Sequence, residues 1–121
     1  MDWFEELPDN CPPKSAEKPN SDYYRLVANN PANENDFKSH RARWPKRKFN
    51  TTECRAKSLS VFSDVSGAED LKKLPRHKSK TIVKLSLTKE MGLIEQTGRN
   101  KLHHSWWRTS EADIFNSIEY I

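Results

Sequence analysis

The chain has 121 residues, a net charge of +4 and a mean hydropathy of −0.98, which leaves room for one domain with a modest core. It contains no apolar run of about 18 residues, and its first residues include Asp2, Glu5 and Glu6 where a signal peptide would carry cations. These features exclude a membrane-spanning protein and predict a small soluble domain in the cytoplasm.

Charge is unevenly distributed along the chain. Residues 1–37 carry eight acids and three bases, residues 38–108 carry 18 bases and six acids, and residues 109–121 carry three acids and no base. The bases concentrate in two stretches, residues 38–49 and 72–80, and the first stretch also holds Trp44 and Phe49. Such a stretch suits phosphate groups, with aromatic rings as stacking surfaces, but a solvated surface or a contact with the acidic first segment would explain the same charge.

The predicted elements begin after an extended arm. Residues 1–21 are acidic and hold four of the seven prolines, so they are predicted to form this arm, and residues 22–121 a single domain. A short helix is predicted to follow Asn33, with Asp36 completing a capping box, and a second to follow Ser66 and end at Pro75. Apolar and β-branched runs predict strands over 22–27, 58–63, 80–88, 90–95 and 102–108.

The last residues fit either a helical turn beginning at Ser110 or a strand ending at Ile121. We expect a turn of helix followed by an edge strand. The predicted fold class is therefore α+β, a small and mainly antiparallel sheet or partial barrel of about five strands with one or two short helices.

The densest cluster of aromatic and imidazole groups lies at residues 103–107, which hold two of the four His and two of the four Trp. In a strand, His103, Ser105 and Trp107 would point to one face and His104 and Trp106 to the other. Because neighbouring His side chains on opposite faces cannot readily bind one ion, no metal site is predicted. One Trp is expected in the core, and the other either lines a ligand pocket or completes a half-buried aromatic ladder.

The two cysteines show no functional pattern. Cys11 and Cys54 form no CxxC motif and have no His at metal-binding spacing. In a cytoplasmic protein they are expected to be free thiols. No cofactor is predicted.

Three segments carry a resemblance to a known family: Tyr24-Arg25-Leu26-Val27, Leu59-Ser60-Val61-Phe62 and His103-His104-x-Trp106-Trp107. In this order they are similar to a family of small, uncharacterised bacterial (cyanobacterial) proteins. The resemblance covers residues 22–121 and implies one compact domain, without indicating an activity.

The chain also distantly resembles ADP-ribosyltransferase-like domains, which place an Arg on an early strand, a Ser on a strand followed by a helix, and an acid on a late strand. Here these residues would be Arg25, Ser60 and either Glu119 or Glu111. The resemblance implies that the Arg grips an NAD phosphate, the Ser strand supports a nicotinamide pocket and the acid stabilises positive charge on the ribose. The chain lacks that family's Ser-Thr-Ser triplet and its paired late acids, and it is short for such an enzyme.

The leading functional prediction is a module that binds an anionic ligand, bearing phosphate or nucleotide groups, or an acidic partner. The first alternative is an enzyme on a nucleotide-like substrate, with His103 or His104 as general acid or base, and the second is an oligomeric protein-interaction module. Sequence-specific nucleic-acid recognition is not predicted, since zinc-finger, RNP and GxxG motifs are absent. The candidate ligand-binding residues are Arg25, Arg41, Arg43, Trp44, Ser60, His103, His104 and Trp106.

Overall fold

A computed structural model describes residues 1–121 as an open, six-stranded antiparallel sheet with three short helices. The order of strands across the sheet is β4-β5-β2-β1-β3-β6. The predicted α+β class with a mainly antiparallel sheet is therefore confirmed, with one strand more than expected. The strands are β1 (Ser21–Val27), β2 (Leu59–Phe62), β3 (Thr81–Leu87), β4 (Gly92–Gln96), β5 (His103–Arg108) and β6 (Ile118–Tyr120).

Side-chain caps define the starts of the helices, which are α1 (His40–Arg43), α2 (Glu53–Ala56) and α3 (Val65–Lys72). Ser39 and Thr52 cap α1 and α2 by accepting hydrogen bonds from backbone N–H groups of their first turns. Helix α3 begins earlier than predicted, because the carboxylate of Asp64 accepts the backbone N–H of Ser66 and so takes the cap position.

Shorter 3-10 turns complete the helical content, at Glu34–Phe37, Pro75–His77 and Lys89–Met91. The capping box predicted between Asn33 and Asp36 is present at the first of them. The helical turn predicted from Ser110 is absent, and only the edge strand of that prediction forms.

Most of the core lies on one face of the sheet. It consists of Val27, Phe37, Leu59, Val61, Val83, Leu85, Leu87, Met91, Ile94, Trp106 and Ile114. On the opposite face, α3 packs Ala68 against Phe62 and Ile82. A Cβ atom on Gly67 would lie 2.5 Å from Cδ1 of Phe62, so glycine allows this close approach of α3 to the sheet.

The first 20 residues lie along the domain without joining the sheet as a strand. Trp3 forms a bridge with Thr109, and Glu17 forms one with Ile94 of β4. The guanidinium of Arg108 lies 3.8 Å from the centre of the Phe4 ring. This segment is therefore held against strands β4 and β5.

A disulfide between Cys11 and Cys54 also joins the first segment to α2, with a Cα–Cα distance of 5.6 Å. The prediction of two free thiols is therefore wrong. That prediction relied on the spacing of cysteines within a short stretch, whereas these two partners are 43 residues apart and only the fold brings them together. None of the helices is both long and apolar enough to cross a lipid bilayer.

Candidate functional site

The two basic stretches of the sequence contribute to one surface cavity, which we call the basic cleft. Its volume is about 480 Å³. It is lined by His40, Arg43, Trp44, Arg47, Lys48, Phe49, Asn50, Arg76, His77 and Lys80.

One wall of the basic cleft is built by α1 and the loop that follows it. The Ser39 hydroxyl accepts the Ala42 N–H, starting α1, and itself donates to the carboxylate of Glu5 at 2.6 Å. The guanidinium of Arg41 then donates to the backbone oxygens of Trp44, Pro45 and Arg47. These bonds hold the loop in a shape that leaves Arg43, Arg47 and Lys48 on the cleft surface.

The opposite wall comes from the connection between α3 and β3. Pro75 starts a 3-10 turn that carries Arg76 and His77, and its fixed φ suits the first position of such a turn. Lys80 lies immediately before β3. The Pro75 that ends the helical pattern therefore also turns a second set of cations toward the first.

The charged side chains that line the basic cleft are all positive. Five cations line it, and no Asp or Glu does. The three ion pairs of the protein are Arg41 with Glu53, Lys73 with Asp70 and Lys84 with Glu119, so none involves a residue of the cleft. Positive charge gathered in this way, without a carboxylate to neutralise it, attracts anions.

The titration of the cleft residues reflects this crowding of positive charge. Burial lowers the pKa of Lys80, and the charges of Arg43, Arg25 and Arg76 lower it further, against a weaker opposing effect of Asp36. Burial likewise lowers the pKa of His40, with Arg25, Arg43, Lys80 and Arg47 acting in the same direction.

The third group affected is His77. Burial lowers the pKa of its imidazole, followed by the charges of Lys80 and Arg76. An anion entering the basic cleft would oppose all three shifts, because it favours the charged form of each group.

The aromatic residues of the cleft hold two of its arginines and one histidine in place. The guanidinium groups of Arg43 and Arg47 lie 4.8 and 5.6 Å from the Trp44 ring, which is 41% exposed. Phe49 stacks on His40, with 5.8 Å between ring centres. Cation–π contacts of this kind orient a guanidinium without neutralising it.

Two of the predicted ligand-binding residues instead support the fold. Arg25 is 9% exposed, and its guanidinium donates to the backbone oxygens of Asp36, at 3.0 Å, and Ser60, at 2.6 Å. Burial, followed by the charge of Arg43, lowers the pKa of Arg25 to about 10. The Arg41 side chain is occupied by Glu53 and three backbone oxygens.

Two other predicted residues meet away from the basic cleft. Nε2 of His103 on β5 lies 3.0 Å from Oγ of Ser60 on β2, and Nδ1 lies 3.1 Å from the carbonyl oxygen of Thr97. The Thr97 hydroxyl continues this network to Ser105 at 2.8 Å. Burial lowers the pKa of His103; the hydrogen bond to the Thr97 carbonyl opposes the shift, and the charge of Arg55 adds to it.

The remaining predicted residues are separated from both groups. Trp106 has no exposed surface, and its indole N–H donates to the carbonyl oxygen of Met91 at 3.0 Å. Trp107 is equally buried and donates to the carbonyl oxygen of Cys54. His104 packs edge-on against Tyr23 and lines a cavity of about 270 Å³. One tryptophan was expected in the core, and both are buried there, so neither lines a pocket nor forms a half-buried ladder.

The acids proposed by analogy with ADP-ribosyltransferase-like domains lie apart from Ser60. Glu119 is on β6, which β1 and β3 separate from β2, and it pairs with Lys84. Glu111 lines a cavity near the chain start that also contains Asp2 and Glu90. That cavity has mixed charge, with Lys18 and Lys89 opposite three acids.

The sequence predicted Arg43 and Trp44 of the basic cleft as ligand-binding residues, and it predicted that either basic stretch could attract phosphate groups. It did not single out His40, Arg76, His77 or Lys80 as ligand contacts. The sequence feature that could have identified these residues is the high density of cations in residues 72–80, together with Pro75, which ends the helical pattern.

Comparisons of the chain with protein-family models, with curated proteins and with solved structures find no match. The two family resemblances noted from the sequence therefore stay predictions.

Proposed function

We propose that this protein is a binding module for a phosphate-bearing anion, held in the basic cleft. One observation carries the proposal: five cations from two distant stretches of the chain line one cavity that contains no carboxylate. Hydrogen bonds from guanidinium and ammonium groups to phosphate oxygens are about twice as strong as neutral ones. Several phosphate oxygens could be bound at once, because cations stand on both walls.

The cleft favours a ligand with more than one phosphate. A single phosphate group carries about two negative charges at neutral pH, which leaves most of the five cations without a partner. A short polyphosphate or a stretch of nucleic-acid backbone offers more charge over the same length. The exposed part of Trp44 is placed to contact an attached base.

Titration calorimetry with two probes tests this proposal. Inorganic tripolyphosphate supplies phosphate alone, and a short oligothymidylate supplies the same groups joined to sugar and base. Both should bind the wild-type protein, and affinity should fall as salt rises, because exposed charges are screened over about 10 Å at 0.1 M salt. Tighter binding per phosphate of the oligothymidylate would identify a nucleic-acid ligand; the reverse order would identify a polyphosphate.

Charge-matched variants distinguish binding in the basic cleft from a general effect of the protein's net charge. Arg43→Glu and Lys80→Glu should weaken binding about tenfold or more, equivalent to about 1.4 kcal/mol or more. Arg99→Glu and Lys101→Glu, on an exposed turn outside the cleft, make the same change in net charge and should leave affinity within about twofold of wild type. Equal losses in all four variants would show that the ligand responds to net charge only, and the proposal would fail.

The cellular location belongs to the same proposal. A cytoplasmic protein was predicted, whereas a stable disulfide is typical of oxidising compartments. Trapping the thiols of cells that express the protein, followed by mass analysis of Cys11 and Cys54, decides the question. Recovery of the chain in the cytoplasmic fraction would support the predicted location, and recovery of the oxidised chain in an extracytoplasmic fraction would contradict it.

A further inference from the structure

We propose that Ser60 is a nucleophile activated by His103, and that this pair hydrolyses small carboxylic esters that carry an anionic group. The pair shares no residue with the basic cleft, so the inference does not depend on the proposed function. It rests on the proton arrangement that the surrounding hydrogen bonds impose on one imidazole ring.

Two oxygens of Thr97 face Nδ1 of His103, the carbonyl at 3.1 Å and the hydroxyl at 3.2 Å. The carbonyl can only accept a hydrogen bond, and the hydroxyl has a second partner in Ser105 Oγ at 2.8 Å, so a proton on Nδ1 satisfies both oxygens when the hydroxyl donates to Ser105. In the neutral ring Nε2 then bears a lone pair. In that tautomer the Ser60 hydroxyl, 3.0 Å away, donates its proton to Nε2. A hydroxyl that donates to an oriented imidazole is the arrangement that activates a serine nucleophile.

The turn after β4 holds that carbonyl in position. The side-chain amide of Gln96 donates to the backbone oxygens of Thr97, Gly98 and Asn100, at 3.1 to 3.2 Å. The Thr97 oxygen thus lies between two donors, Gln96 and His103. The ring orientation is therefore set by backbone and does not need a carboxylate.

The surroundings of the pair indicate which esters would bind. Ser60 is exposed, so a substrate can reach its Oγ. Nη2 of Arg55 and Nδ1 of His103 both lie 3.8 Å from the position that a Cβ on Gly98 would occupy, and the charge of Arg55 acts on the imidazole, so a cation lies in the neighbourhood of the ring, toward its Nδ1 side. A carboxylate on the acyl part of the ester is the group that this guanidinium would attract.

The reaction would follow two balanced steps. Ser60 Oγ attacks the ester carbonyl carbon while its proton passes to His103 Nε2, and the carbon–oxygen bond to the alcohol then breaks as Nε2 returns the proton to the leaving oxygen. In the second step a water gives one proton to Nε2 and its oxygen attacks the carbonyl carbon of the acyl-Ser60 ester. The bond from that carbon to Oγ then breaks as Nε2 returns the proton to Oγ, which releases the carboxylic acid and restores the serine.

A serine-reactive fluorophosphonate, with mass analysis of the intact chain and its peptides, tests the inference. The wild-type protein should gain one adduct at Ser60, and Ser60→Ala should gain none. His103→Gln should label at least about a hundredfold more slowly, since a positioned base contributes about 10² to 10⁴ in rate. Labelling should rise with pH, with a midpoint below about 6.5, the ordinary value of an imidazole. That midpoint senses Arg55 and His104, the two charged groups that act on His103.

Two matched controls complete the experiment. Ser63→Ala removes another exposed hydroxyl at the end of β2, and His104→Gln removes the adjacent imidazole, which faces Tyr23. At a pH above the midpoint both variants should label like wild type. 4-Nitrophenyl succinate should be cleaved faster than neutral 4-nitrophenyl butyrate, and Arg55→Gln should reduce that preference.

An unlabelled wild-type chain, an adduct elsewhere, or labelling of Ser60 that is unchanged in His103→Gln would overturn the inference. Thermal melting checks that each variant is folded. If His103→Gln does not fold, the pH dependence of wild-type labelling is the test: a midpoint below about 6.5 would support the inference, and labelling that does not change with pH would overturn it.

Discussion

The Arg25 side chain is a structural cation, linking β1 to Asp36 and to the adjacent strand through backbone oxygens. We expect Arg25→Met to lower the free energy of unfolding by about 2 to 4 kcal/mol, because the buried carbonyls would lose their donors. Urea denaturation measures the change. Arg99→Met, at an exposed turn, should stay within about 0.5 kcal/mol of wild type. If the two variants were equally stable, Arg25 would be free to bind a ligand, as the sequence predicted.

The individual residues His40 and His77 should make anion binding to the basic cleft depend on pH. Burial and neighbouring cations lower the pKa of both imidazoles in the free protein, and a bound anion would raise those values. Binding therefore takes up protons, and affinity should increase as pH falls from 8 through about 6.5 toward 5.5.

Sucrose octasulfate is a suitable probe for this dependence, since its sulfate esters keep their charge over that range. The double variant His40→Gln and His77→Gln should show a flat profile. An unchanged slope in the variant would assign the proton uptake to other groups.

The residues of β5 also show which properties of a site can be predicted from sequence and which cannot. The spacing of His103, Ser105 and Trp107 placed them on one face of a strand, but burial depends on what lies above that face. Two tryptophans on opposite faces are both buried, because the core covers one and the segment carrying Cys54 covers the other. The contact between Ser60 and His103 depends on register, which no local pattern specifies.

At the scale of elements, α3 depends on a glycine. Alanine is favoured over glycine within a helix by about 1 kcal/mol. A methyl group on Gly67, however, would meet the Phe62 ring at 2.5 Å, and overpacking of this kind costs about 1 to 3 kcal/mol. We therefore expect Gly67→Ala to be neutral to destabilising by about 2 kcal/mol, and Gly67→Ala with Phe62→Leu to recover part of the loss. Increased stability of the single variant, measured by urea denaturation, would show that α3 can shift away from the sheet.

The predicted elements succeeded where a local signal was strong. The alternating run through Ile82 and Leu87 predicted β3 closely, and the Asn33 cap with Asp36 predicted a helical turn. The chain end was predicted less well: its apolar residues fit helical spacing, but Ile114 is buried in the core on a non-helical segment. There, tertiary packing overrides a weak local preference.

For the whole molecule, the disulfide should contribute strongly to stability. It closes a loop between positions 43 residues apart, and in the chain-entropy account such a crosslink stabilises by about 4 kcal/mol. Cys11→Ser with Cys54→Ser should therefore unfold at clearly lower urea concentration than the oxidised wild-type protein, and at nearly the same concentration as the reduced one. Two reactive thiols in the native, unreduced protein would contradict the bond.

The basic cleft is also a property of the whole molecule. Its two walls come from stretches that β2 and α3 separate in the chain, and only the sheet order brings α1 near the turn that precedes β3. The sequence could predict that each stretch is basic. It could not predict whether the stretches face each other or face solvent, which decides between a binding site and a solvated surface.

A nitrogen-15 NMR titration of the full chain with tripolyphosphate tests directly whether the basic cleft binds the anion. We predict saturable shifts confined to α1, residues 44–50, the turn at Pro75–His77 and Lys80. Shifts spread over all exposed lysines and arginines, or centred on the mixed-charge cavity near Asp2 and Glu111, would contradict the assignment of the basic cleft as the binding site.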